Sequence, residues 1–165
     1  MKKVEHGKTF DRNAANPPAF EIFHNTVTEG YPEHWHTAIE IIMPTRGEYE
    51  VVVGKDSYNL KEGDIIMINS GVVHGMRFVS QGERIVMLVE PGCVENQEEM
   101  ETIFLRLPAI YFKKEDEEDP FYLFLRSQIL ELVREYDNEG AVMTHRICTG
   151  LKELFSEFGR KGFSD

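Results

Sequence analysis

Between residues 17 and 91 the hydrophobic positions fall into short runs of β-branched, aromatic and aliphatic residues broken by turn-forming clusters. Ala19 to Val27, Ala38 to Met43, Glu48 to Val53, Ser57 to Leu60, Asp64 to Asn69, Met76 to Val79 and Arg84 to Val89 read as strands at the spacing of an all-β sandwich or barrel. Gly54-Lys55-Asp56 and Lys61-Glu62-Gly63-Asp64 carry residues that tolerate the backbone of tight turns, which predicts that consecutive strands are antiparallel neighbours.

Past Gly92 the period changes. Glu98 to Leu107 predicts a short helix or helical turn, and Lys113 to Asp119 a charged connection whose Asp119-Pro120 suits a helix N-cap and first-turn proline. Phe121, Phe124, Leu125, Ile129, Leu132, Val133 and Tyr136 recur at helical spacing, as do Cys148, Leu151, Leu154, Phe155 and Phe158. With the loop Asp137 to Gly140 between them, the two segments predict an antiparallel helical hairpin. The tail from Gly159 to Asp165 has no periodicity and is expected to fray. The division expected is a flexible arm over 1–16, a β-barrel over 17–95 and a helical region over 96–165.

Composition narrows the function classes. The 165 residues hold 18 basic and 29 acidic side chains, a net charge of −11. Residues 1–95 carry 9 basic against 14 acidic groups and residues 96–165 carry 9 against 15, so both halves are negative, at −5 and −6. Neither has the basic surplus that phosphate binding requires, so this chain alone is not expected to bind nucleic acid. No signal peptide or membrane span is visible, and two cysteines without metal-type spacing read as reduced thiols, which points to the cytoplasm.

The chemistry concentrates in one stretch. On a strand, residues two apart share a face, so His34, His36 and Glu40 are expected to point one way and Trp35 the other, toward packing between strands or against the helices. A carboxylate and two imidazoles on an inward face need a compensating partner. A divalent ion (Zn, Ni, Fe, Mn or Cu) is one, with His74 from a later strand as the fourth ligand. The alternative is a metal-free pocket wall in which these groups bond to one another, to water or to an organic ligand. Tyr49 and His24 sit on predicted strands and are further candidates for ligand contact. His145 and His6 are expected to be solvated. No nucleophile elbow, phosphate loop or Cys-x-x-Cys is present, so an enzyme would have to work through the metal set.

At these residues the chain resembles the cupin superfamily. Gly30, His34, His36, Glu40 and Gly47 follow its first motif, with the Gly30 to His34 gap two residues shorter than usual. Gly63, Asn69, Gly71 and His74 follow the second, Asn69 standing for the usual Pro and Phe78 for the usual Asn. The resemblance implies a mainly β fold, a cupin-like antiparallel β-barrel of jelly-roll type followed by the C-terminal α-helical hairpin. The order of His-Trp-His, the Gly-Glu-Tyr-Glu-Val-Val-Val-Gly hairpin, Ser-Gly-Val-Val-His-Gly and paired helices is similar to the N-terminal sensor domain of AraC-type transcriptional regulators, over residues 17 to 158.

That likeness implies a small-molecule effector, a sugar or related metabolite, held in the barrel by residues among His34, His36, Glu40, His74, Tyr49 and His24. It also implies a homodimer through residues 121–158 and a DNA-binding domain beyond Asp165. Two other readings stay open: a stand-alone metal-dependent cupin enzyme, a dioxygenase or isomerase using His34, His36, Glu40 and His74, and a metal-free binding module that does not dimerise.

Overall fold

Of the seven expected strands, each forms, and two more join them. The computed structural model describes residues 19–26, 30–93, 107–116, 118–138 and 140–161. In chain order they form β1 Phe20–Asn25, β2 Tyr31–His34, β3 Ile39–Arg46, β4 Tyr49–Val53, β5 Asp56–Leu60, β6 Ile65–Ile68, β7 His74–Phe78, β8 Glu83–Val89 and β9 Ala109–Phe112. Two helices follow, α1 Pro120–Asp137 and α2 Met143–Lys161. The helix expected over Glu98 to Leu107 lies outside the described residues apart from Leu107, and the arm over 1–16 lies wholly outside them.

The strands form two antiparallel sheets, ordered β1-β8-β3-β6-β9 and β2-β7-β4-β5. Among the described residues no strand of one sheet pairs with the other, so the architecture is a jelly-roll sandwich rather than a closed barrel. Among the described strands only β4 and β5 are both consecutive and paired. The expectation that consecutive strands are neighbours is therefore corrected: most turns carry the chain across to the opposite sheet, and side-chain alternation specifies a strand's faces without naming its partner.

The five-stranded sheet is covered on both sides, which is why β3, β6 and β8 read as near-continuous apolar runs. Ile39, Ile41 and Met43 of β3, with Ile85, Met87 and Val89 of β8, pack toward the helices. Ile42 of β3 and Ile66 and Ile68 of β6 instead face Tyr49, Val51, Val53 and Met76 of the four-stranded sheet. The second sheet's outer side is solvated, so β5 buries only Leu60.

The helical hairpin supplies the outer cover. Asp119 caps α1 as expected, its Oδ1 accepting the Phe121 N–H at 2.9 Å, and its other oxygen meets Lys161 Nζ at 2.7 Å, fastening the end of α2 to the start of α1. Tyr122, Leu125, Ile129 and Leu132 of α1 and Ile147, Leu151, Leu154, Phe155 and Phe158 of α2 bury against the sheet. Most of the predicted helical stripe is thus spent on the chain's own sandwich. The fraying expected from Gly159 is corrected as well, since α2 runs to Lys161; residues 162–165 lie outside the described set.

Candidate metal centre

Three imidazoles and one carboxylate meet between the two sheets. His34 ends β2 directly opposite His74 at the start of β7, which brings their ring centroids to 4.5 Å. His36 lies in the connection between β2 and β3, held by its own carbonyl accepting the Gly71 N–H at 2.8 Å. Gly71 takes φ +74° there, in the region that favours glycine, so this second-motif residue closes the loop beneath the site. Glu40, second in β3, faces inward opposite Leu88 and Ile68. One ligand-type atom from each of His34, His36, Glu40 and His74 falls within 4.8 Å of the others.

The ring orientations are fixed from behind. Nδ1 of His34 faces the Pro32 carbonyl at 2.9 Å, Nδ1 of His36 the Ala38 carbonyl at 3.0 Å, and Nδ1 of His74 the Val72 carbonyl at 2.8 Å. A carbonyl oxygen only accepts, so each Nδ1 carries the proton and each Nε2 is left as the donor atom for the cluster. Main-chain carbonyls that fix the tautomer in this way are the outer support of a histidine metal ligand.

Glu40 Oε2 meets His36 Nε2 at 3.0 Å and His74 Nε2 at 2.9 Å. A ring with an acceptor at each nitrogen satisfies both only as the imidazolium, and two imidazoliums side by side in a buried place repel each other. A divalent cation resolves the conflict, since it is bound by the Nε2 lone pairs and the carboxylate together. The residues present therefore fit a metal ion, with His34, His36, Glu40 and His74 as the set that can hold it.

The electrostatics of the bare cluster follow from the same contacts. Burial opposes ionisation of Glu40, but the hydrogen bonds and charges of His36 and His74 overcome it and lower its pKa from 4.5 to about 2. Burial likewise opposes the charged form of His74, and the bond to Glu40, the charge of Glu40 and the Val72 carbonyl outweigh it, so its pKa is raised. Glu40, His36 and His74 are buried while His34 is exposed, which leaves the centre open to solvent on the His34 side.

The four residues singled out in the sequence do meet, but by a route partly different from the one expected. Strict alternation from His34 to Glu40 does not hold: β2 stops at His34, β3 starts at Ile39, and His36 reaches the cluster from the loop between. Trp35 does turn away from the cluster, but it is 54% exposed rather than packed between strands or on the helices. Tyr49 is buried on the inner side of β4, four residues before Val53, which pairs with His74. At about 3.3 Å per residue it sits about 13 Å along the strand from the cluster. His24 lies on the other side of the five-stranded sheet, in an open cleft of about 400 Å³ with Thr45, Arg46, Glu83, Ile85 and Val133. His145 is exposed, as expected.

One interior residue escaped the sequence reading. Arg84 is fully buried on the inner side of β8, its guanidinium 4.8 Å from the Tyr49 ring centroid and 5.4 Å from that of Tyr31. Tyr31 in turn accepts from the Asn25 amide at 2.7 Å. The available signal was a lone cation at an inward position of an otherwise apolar strand, Arg84-Ile85-Val86-Met87-Leu88-Val89.

Residues 25–90 match the family model described as Cupin domain, the segment that holds all four cluster residues. Over residues 25–90 the fold is thus that of a cupin jelly roll, and a helical pair is appended to it. Among solved structures, apo ToxT K231A from Vibrio cholerae is similar at 11% identity over 88% of this chain, with a TM-score of 0.58. This chain spans 58% of that one, and at such low identity the likeness is one of fold. A conserved protein of unknown function, SPY1581 from Streptococcus pyogenes, shares 17% identity over 55% of this chain and 94% of its own, with a TM-score of 0.43. Bacillus subtilis oxalate decarboxylase OxdC shares 19% identity over 42% of this chain and 20% of its own, with a TM-score of 0.37. No curated protein matches the sequence.

Proposed function

We propose that the chain is the effector-sensing and pairing part of an AraC-type transcriptional regulator. The observation that carries this reading is the combination of a cupin sandwich with a helical pair packed on its outer sheet; it is supported by the likeness of fold to ToxT, an AraC-type regulator, over 88% of the chain. A cupin domain by itself ends near residue 90; the helices are what the regulator fold adds.

In this reading a small molecule, a sugar or related metabolite, enters between the sheets from the His34 side. His34, His36, Glu40 and His74 receive its polar groups directly or through a metal ion, with Tyr49 deeper along the same interior. The helices pair two subunits, and Leu123 and Val142, 50% and 55% exposed on the hairpin, are apolar surface for that contact. DNA is contacted through a further domain, and the role places the protein in the cytoplasm. No described helix is long and apolar enough to cross a membrane. For the effector to act, it must bind the two arrangements of the helices with different affinity.

The second reading, a metal-dependent cupin enzyme, is favoured by one observation, the buried, carbonyl-oriented donor set. A bound metal there would polarise a coordinated substrate as a Lewis acid. In that case Glu40 and the three histidines hold the ion, while the exposed His34 side admits substrate.

The test is sedimentation equilibrium across micromolar concentrations combined with thermal shifts against a panel of sugars and organic acids. The expected result is a dimer and a compound that raises Tm in the wild type but not in a Glu40→Gln variant. A monomer at all concentrations with no shift from any compound overturns the regulator reading. Turnover abolished by His36→Ala establishes the enzyme instead.

A further inference from the structure

The chain's two cysteines, 55 residues apart in sequence, are brought into side-chain contact by the fold. Cys93 ends the 3-10 turn Pro91–Cys93 that follows β8, and Cys148 lies on α2. The turn packs against α2, and Cys93 rests on the core cluster that contains Ile147 and Leu151, which bracket Cys148. Both thiols are free and partly buried, so a small reagent can reach them. Cys93 is anchored by its own N–H donating to the Glu90 carbonyl at 2.9 Å and by its Sγ against the Ala19 carbonyl at 3.2 Å. Lys152, one turn beyond Cys148 on the same helix face, adds a positive charge that reaches Cys93.

We propose that Cys93 and Cys148 are a redox-modification site that closes reversibly into a disulfide between the turn after β8 and helix α2. The oxidant is a low-molecular-weight disulfide of the glutathione class. The Cys148 thiolate attacks one of its sulfurs, the small S–S bond breaks, and one small thiolate leaves and takes a proton. The Cys93 thiolate then attacks Cys148 Sγ in the mixed disulfide, forming the protein S–S bond and expelling the second small thiolate, which is protonated in turn. Two protein thiols are oxidised and one small disulfide is reduced to two thiols.

The order of attack follows from the surroundings. Burial, and after it the neighbouring Cys148, push the Cys93 thiol up to about 11, so Cys93 keeps its proton and is not the first to attack. Once Cys148 is in a mixed disulfide its charge no longer opposes ionisation of Cys93, and Lys152 then favours the second step.

The bond would fasten α2 to the end of β8, the strand that pairs with β3 and therefore with Glu40. Residues 93 to 148 form a ring of 56 residues. Closing a ring of that size raises Tm by on the order of 10 °C in the chain-entropy account.

The test incubates reduced protein with oxidised glutathione, traps free thiols by alkylation, and reads intact mass and the peptide map. The expected product takes up no alkyl groups, has lost about 2 Da as two hydrogens, yields the Cys93–Cys148 cross-linked peptide, melts higher, and reverts with a dithiol reductant. Cys93→Ser is expected to stop at a stable glutathione adduct on Cys148. Two alkylated cysteines after oxidation, a persistent adduct in the wild type, or cross-links only between chains would each overturn the proposal; none of these readouts depends on a variant's folding.

Discussion

Replacing Glu40 with Gln in metal-free protein removes the charge at the centre of the cluster while keeping the shape of the side chain. In the wild type, Glu40 Oε2 meets two Nε2 atoms at 3.0 and 2.9 Å in a buried setting. The fall of its pKa from 4.5 to about 2 corresponds to about 3 kcal/mol at about 1.4 kcal/mol per pH unit. This agrees with the roughly 3–5 kcal/mol measured when one partner of a buried ionic pair is removed. The raised pKa of His74 is the same interaction viewed from the other partner, so the two are not added. Glu40→Gln is therefore expected to destabilise the metal-free protein by about 3 kcal/mol, a drop in Tm of roughly 6–12 °C for a chain of this size.

The pH dependence gives the prediction its sharpest form. A lowered carboxylate pKa means stability present above the unfolded value of 4.5 and lost as pH falls toward 2. A raised imidazole pKa means stability fully present below the unfolded value of 6.5 and lost as pH rises through the higher folded one. The stability difference between wild type and Glu40→Gln should thus be greatest between about pH 4.5 and 6.5 and shrink on both sides. Urea unfolding of chelator-treated protein from pH 3 to 9 measures it. A difference that is flat with pH, or a variant as stable as the wild type at pH 6, would refute the ionic account of the cluster.

Metal addition should act in the opposite sense: at a thousandfold excess over Kd, an ion is expected to stabilise the stripped protein by about 4 kcal/mol, or roughly 8–16 °C in Tm. Elemental analysis and melting of wild type and a His36→Ala, His74→Ala variant check this, and an equal shift in the variant would place the ion elsewhere. Asp119→Ala should cost about 1 kcal/mol at pH 7 through the lost N-cap. The Lys161 and Phe121 contacts lower the Asp119 pKa, so that cost should fade below about pH 4, as unfolding at pH 7 and pH 3 would show. Gly82→Ala places a Cβ against the Arg46 carbonyl oxygen and 2.8 Å from the buried Tyr49 hydroxyl, and the backbone there must move. A loss of about 1–3 kcal/mol in urea unfolding is expected, and an unchanged midpoint would mean that β3 and β8 yield easily at this end.

The parts of the fold that could be read in advance are those where side-chain chemistry is local. Asp119-Pro120 marks a helix start because a cap acts within three residues. β3, β6 and β8 are legible as strands because burial on both faces leaves a near-continuous apolar run. β2, Tyr-Pro-Glu-His, is exposed at every position, so no hydrophobic pattern betrays it; it exists through its pairing with β7. β9 is likewise an edge strand, completed by β6 and by Asp64, which accepts from the Lys114 N–H and the Tyr111 hydroxyl. The cluster was legible from residue type and spacing. That His36 would reach it from a loop was not, because the break after His34 is imposed by the change of sheet.

Glu40 stands on a strand whose two sides serve different neighbours. Its flanking residues, Ile39 and Ile41, belong to the core beneath the helices, while Glu40 itself faces the metal-binding set. A tightly packed interior has little compressibility and passes displacement on instead of absorbing it. β3 consequently works as a partition with one surface in each compartment: any ligand that draws the carboxylate inward also draws on the wall against which the helical pair is seated.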